Sequence, residues 1–129
     1  SYSVEERKDV PLLQAEVLKA IGKKEMSEKI LREIVETNPL EGKALIMLGQ
    51  YAWEKKEHVH ATLYFERAAK TKDWQVPALI EHARMRVATR DYDQAVRLLQ
   101  EVQILDPQPR VDRYLKSIQN LLISSRINP

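Results

Sequence analysis

Asn38-Pro39, Lys72-Asp73 and Asp106-Pro107 stand 34 residues apart, and the same interval separates Leu45 from Leu79, Ala61 from Ala95, and Ala68 from Val102. A fixed period of this length constrains the chain more than its composition does. Each period has to be one small supersecondary unit that cannot bury its apolar face alone, so neighbouring units must share a core. Such arrays present extended surfaces, which makes a binding scaffold the expected class rather than a catalyst.

Units beginning at Lys8, Gly42 and Val76 each contain two helical patterns around a short polar break. In the second unit Leu45, Leu48, Gly49 and Ala52 fall on one face of a first helix. After Glu54-Lys55-Lys56-Glu57, a second helix is expected to turn Ala61, Leu63, Tyr64, Phe65 and Ala68 inward. The third unit repeats this with Leu79, Ala83 and Val87, the break Arg90-Asp91, then Tyr92, Ala95, Leu98, Leu99 and Val102. The first is looser: Leu12, Ala15 and Leu18, the break Gly22-Lys23-Lys24, then Ile30, Leu31 and Ile34.

Small residues early in the second helices, Ala61 and Ala95, let two helices approach closely, and Phe65 and Leu99 are expected to fill the space beside them. Pro39 and Pro107 end the second helices, because proline lacks an N–H and restricts the residue before it. Asp73 stands at the matching place in the middle unit, where a weaker ending is expected.

This combination resembles the tetratricopeptide repeat (TPR) family. Leu48-Gly49, Ala61, Phe65 and Ala68 match its pattern in the second unit, and Asp91-Tyr92-Asp93-Gln94-Ala95, Leu99 and Asp106-Pro107 match it in the third. The first unit keeps Ala15, Gly22, Leu31, Ile34 and Asn38-Pro39, with Ser27 at the usual Ala. His82, Ala83 and Arg86 depart from the usual Leu, Gly and aromatic. The resemblance spans residues 8–107 and implies an all-α fold: a right-handed α-solenoid of about three helix–turn–helix units (8–41, 42–75, 76–109) forming one domain with a C-terminal capping helix at about 109–125. At strict spacing that last helix would bury Arg113, Lys116, Ser117 and Asn120. A one-residue insertion near Pro107–Arg110 would substitute Tyr114, Ile118 and Leu121. Its many apolar residues make self-association through this helix a second expected role.

By the same resemblance the first helices line a concave face. Its candidates are Asp9, Leu12, Glu16 and Lys19, then Lys43, Ile46, Gln50, Trp53 and Glu54, then Ile80, Arg84 and Val87, with Leu115, Gln119 and Leu122 from the last helix. An apolar strip of Leu12, Ile46, Trp53, Ile80 and Leu122 flanked by Lys43, Gln50 and Arg84 suits a peptide or helix with apolar anchors. The competing reading is that Ile46 and Ile80 pad between first helices and that Trp53 packs between units. TPR domains that grip chaperone C-termini use Lys, Asn and Arg where this chain has Leu12, Glu16, Met47, Pro77 and Glu81, so that carboxylate clamp is not expected.

Other chemistries find little footing. With no Cys, neither a disulfide nor a thiolate centre is available. His58 and His60 stand two apart, poor spacing for one helix face, and read as surface histidines. His82 reads as a packed interface histidine, whose protonation Arg86 at i+4 would oppose. Scattered serines lack a nucleophile-elbow context, no glycine loop cradles phosphate, and Glu5-Glu6 reads as a solvated terminus. A net charge of +2 gives no dense basic stripe, so neither nucleic acid nor an anionic membrane is an expected partner. No apolar run is long enough to span a bilayer. No cofactor or metal is expected. The partner is expected to be a protein or peptide, or a further copy of the chain. The chain begins at Ser1 rather than Met, which leaves room for an upstream leader or region.

Overall fold

The computed structural model describes residues 4–127, with side chains from Asp9 onward. Regular structure among the described residues is entirely helical: α1 (Val4–Ala20), α2 (Lys24–Thr37), α3 (Gly42–Glu54), α4 (His58–Ala68), α5 (Gln75–Ala88), α6 (Tyr92–Leu105) and α7 (Pro109–Ile127). Consecutive helices pack on one another, most extensively within the pairs α1·α2, α3·α4 and α5·α6. Helix α7 lies on α6, and α3 also touches α5. The expected start at Lys8 and the Glu5-Glu6 pair fall where side chains are not described.

The repeat is written into the backbone as well as the side chains. Gly22, Lys56 and Arg90, spaced 34 apart in sequence, all take positive φ, at 84°, 62° and 62°. At each, the following N–H reaches back five residues: Lys23 to the Leu18 carbonyl, Glu57 to Ala52 and Asp91 to Arg86, all at 2.8 Å. This left-handed termination satisfies carbonyls that the helix end would otherwise leave unpaired. Glycine fills it freely, whereas Lys56 and Arg90 carry a Cβ there.

Small residues set the closest approaches. A Cβ on Gly49 would stand 2.6 Å from Phe65 Cε1, so only glycine lets the Phe65 ring lie against α3. Leu31, Phe65 and Leu99, again 34 apart, are fully buried, as are Ser27, Ala61 and Ala95 four positions before them. Ser27 keeps its hydroxyl satisfied where its counterparts are alanine. Its Oγ donates to the Ala15 carbonyl at 2.7 Å and accepts from the Tyr51 hydroxyl at 2.9 Å. The corner without proline is held by other means. Thr71 is buried and donates to the Ala68 carbonyl at 2.7 Å, and Trp74 packs so tightly on Gly42 that an added Cβ would stand 2.6 Å from its own.

Two expectations are corrected. Leu63, expected inward, is 53% exposed, because two residues after the inward Ala61 a helix points almost the opposite way. Helix α7 does not bury Tyr114, Ile118 and Leu121 as a set: Val111, Leu115 and Ile118 are buried and Leu121 is 45% exposed. These positions follow Ala78, His82 and Met85 of α5 by 33 residues, one fewer than the period rather than one more. No further helix follows α7 among the described residues. Arg113, Lys116, Ser117 and Asn120 remain exposed.

Candidate functional site

The first helices α1, α3 and α5 are joined along one face by a chain of polar contacts. Glu16 on α1 forms an ion pair with Lys43 on α3. Lys19 on α1 donates to Gln50 Oε1 at 3.5 Å, and Gln50 Nε2 donates to Glu81 of α5 at 3.2 Å. Arg84 then closes on Glu81 at 3.3 Å. Gln50 is chemically suited to the middle of this chain, since an amide both accepts from an ammonium and donates to a carboxylate. Lys43 also lies over the Trp74 ring, 6.0 Å from its centroid.

Beside this chain, Trp53 is half-buried in the wall of a recess of about 600 Å³. Lys19, Gln50, Glu54, Lys56, His58, Glu81, Ala88 and Thr89 complete its lining. Glu54 is paired with Lys24 at 3.1 Å. The recess therefore offers an indole face among charges of both signs, which suits a peptide better than a simple anion. A second recess of about 320 Å³ gathers Ile80 and Arg84 with Leu99, Arg110, Val111 and Tyr114. Burial pushes the Tyr114 phenol up, against the opposing pull of the Arg84 charge.

Of the residues singled out in the sequence, Glu16, Lys19, Lys43, Gln50 and Arg84 come together in the polar chain, and Trp53 and Glu54 sit beside it. Ile46 does not join the surface: it is only 6% exposed and belongs to the core of the first two helix pairs. Leu12 is half-buried against that same core, and Ile80 and Val87 against the core of the third pair. On α7, Leu115 is buried while Gln119 and Leu122 are half-buried. Of the expected apolar strip, Ile46 is therefore interior, while Leu12, Trp53, Ile80 and Leu122 are half-buried, and the polar chain runs beside them. Glu81 is the residue that sequence reasoning undervalued. Its signal is a spacing of 31 along Lys19, Gln50 and Glu81, one helical turn short of the repeat.

The histidines lie apart from this face or at its edge. His60 Nδ1 stands 3.3 Å from the Glu57 carboxylate. Among the described residues no group of three or more His, Cys, Asp or Glu is placed to hold a metal ion. His82 is buried against the Phe65 ring, with centroids 6.0 Å apart, and its Nε2 accepts from Arg86 Nε at 3.2 Å. Its pKa is pushed down to about 4 by burial and then by the Arg86 charge, with Asp91 acting the other way. Arg86 is in turn anchored to Thr62 of α4 at 3.2 Å. No described helix is long and apolar enough to cross a membrane. Compared with protein-family models and with curated proteins, the sequence matches none of them.

Proposed function

We propose that the chain is a non-enzymatic interaction scaffold: about three TPR-type units in a right-handed solenoid, closed by α7, holding a peptide or helix of a partner protein along α1, α3 and α5. The Trp53 recess carries this reading, because it sets a half-exposed indole beside polar groups already fixed by contacts between helices. Tryptophan in such a setting is the residue type that most often dominates interface energy. Lys19, Lys56 and Arg84 would receive acidic groups of the ligand, and Glu54 and Glu81 its amides or cations. Because these side chains are already held by one another, less conformational freedom is lost on binding.

The test compares capture of native partners by the wild type and by a Trp53→Ala, Arg84→Glu double variant. Capture should be lost while circular dichroism and melting stay close to wild type. Undiminished capture by a folded double variant would sink the proposal. A second reading, self-association through the last helix, rests on exposed Leu121, Ile123 and Ile127. It requires a mass that rises with concentration in sedimentation and falls with Ile123→Glu.

A further inference from the structure

The recess between α5, α6 and α7 has two guanidiniums and a phenol on its wall. Arg84 of α5 and Arg110 and Tyr114 of α7 stand with Ile80, Leu99 and Val111 around about 320 Å³. Leu99 and Val111 are buried and Ile80 is half-buried, so the apolar part belongs to the packed interior. Apolar side chains with a few converging polar groups are the usual build of a small-ligand site. The Arg84 charge reaches the Tyr114 phenol, where it opposes the upward pull of burial.

The polar groups here are donors without enough acceptors. Glu81 meets Arg84 at 3.3 Å and also accepts from Gln50, while Asp112 in the first turn of α7 is paired with Lys116 at 3.0 Å. Among the described residues, Arg110 has no ion-pair partner and the Tyr114 hydroxyl has no hydrogen-bond partner. Arg84 meets Glu81 through Nη1 alone, and a guanidinium carries several further N–H donors. Burial pushes the Tyr114 phenol up, so at neutral pH it keeps its proton and is free to donate it. Arg110 and Val111 also lie in the first turn of α7, whose unpaired backbone N–H groups add a weaker pull on negative charge.

Charge decides what fits. Glu81 offsets Arg84, which leaves Arg110 as the uncompensated cation. A single negative charge balances it, whereas a doubly charged phosphate would also be repelled by Glu81. A carboxylate offers about four acceptor sites, enough for both guanidiniums and the phenol, and arginine can meet it through two parallel N–H bonds. We propose that this recess binds a single carboxylate borne on a compact apolar body. Arg84, Arg110 and Tyr114 hold the carboxylate, and the body lies against Ile80, Leu99 and Val111. The recess shares no lining residue with the one at Trp53, so loss of partner capture there and loss of carboxylate binding here are separable.

The probes are phenylacetate, phenylacetamide as the same body without the charge, and the capped dipeptide acetyl-Leu-Glu-amide. Each is titrated into the isotope-labelled full chain and followed by proton–nitrogen NMR. At least one carboxylate should saturably shift the Ile80 and Val111 amides and the Arg84 and Arg110 Nε–H signals, and phenylacetamide should not. Tighter binding of phenylacetate assigns the site to a free acid, and tighter binding of the dipeptide to an acidic side chain of a partner. Arg110→Gln should weaken the carboxylate by about tenfold or more, and Tyr114→Phe by about fivefold. Arg97→Gln, which removes an exposed charge from α6, should leave it unchanged. The proposal is overturned if neither carboxylate gives a saturable shift, or if the amide binds as well as the acid. Binding indifferent to Arg110→Gln in a folded chain overturns it too, as does inorganic phosphate binding as tightly as the carboxylates, which would reveal a bare anion site.

Discussion

At the scale of single residues, the polar groups buried in this core are few and each is satisfied. Ser27 stands where the other helix pairs carry alanine, and its hydroxyl both donates to Ala15 and accepts from Tyr51. Tyr51→Phe removes one hydrogen bond cleanly and should cost about 1 kcal/mol, whereas Ser27→Ala leaves the buried Tyr51 hydroxyl unpartnered and should cost roughly 1–3 kcal/mol. Adding Tyr51→Phe to Ser27→Ala should then recover part of the loss in a denaturant double-mutant cycle. Strict additivity would mean the two hydroxyls do not interact. His82 gives stability a pH dependence of defined sign. Its folded pKa of about 4 lies below the ordinary 6.5, so between those values the unfolded chain takes up a proton that the folded chain refuses. The His82 contribution is therefore intact above 6.5, declines as pH falls through that window and levels off below about 4. Between about pH 7 and about pH 5 the wild type should lose up to about 2 kcal/mol more than His82→Gln does in urea melts. Parallel losses in the two proteins would refute the assignment.

The element scale turns on how closely two helices of a pair can approach. Phe65 fills the space left by Gly49 and also lies against His82, so it joins two pairs rather than one. Phe65→Ala should cost roughly 3–5 kcal/mol. Ala61→Leu, which overfills the same contact, should cost about 1–3 kcal/mol by chemical denaturation. Small effects from both would show that the pair does not close at this point. Helix positions and their buried small residues were legible in the sequence because every pair meets the same neighbours at the same interval. Legibility failed where neighbours change. The buried side of helix α7 lies one position from where the period puts it. Ile46 looked like a surface anchor because its position on the first helix suggested a concave face, yet the contact between α3 and its neighbours buries it. Glu81, in sequence only a mismatch to the carboxylate clamp, gains its place because lateral pairing between first helices runs at a spacing of 31 rather than 34.

Across the whole molecule the two ends are unlike. Helix α7 turns Val111, Leu115 and Ile118 onto the core of the third pair, while its exposed side mixes Arg113, Lys116, Ser117 and Asn120 with Leu121, Ile123 and Ile127. Removing residues 109–129 should uncover Leu98, Leu99 and Val102 at once. The shortened chain should melt at lower temperature and aggregate on light scattering, and a truncated chain as stable and soluble as the parent would show that α7 is dispensable. The left-handed turns at Gly22, Lys56 and Arg90 carry a different consequence. Because they recur at one interval with one geometry, length in this architecture is divisible. Excising residues 42–75 would splice one complete period out and leave both remaining turns with their own sequence. What excision would not preserve is polarity. Glu16, Gln50 and Arg84 occupy the same place in successive periods, so the charge at that place climbs from negative through neutral to positive along the chain. With the middle period gone, Lys19 would meet Arg84 where it now meets an amide, and two cations would face each other. The periods can be counted off like identical links, but they can be read in only one order.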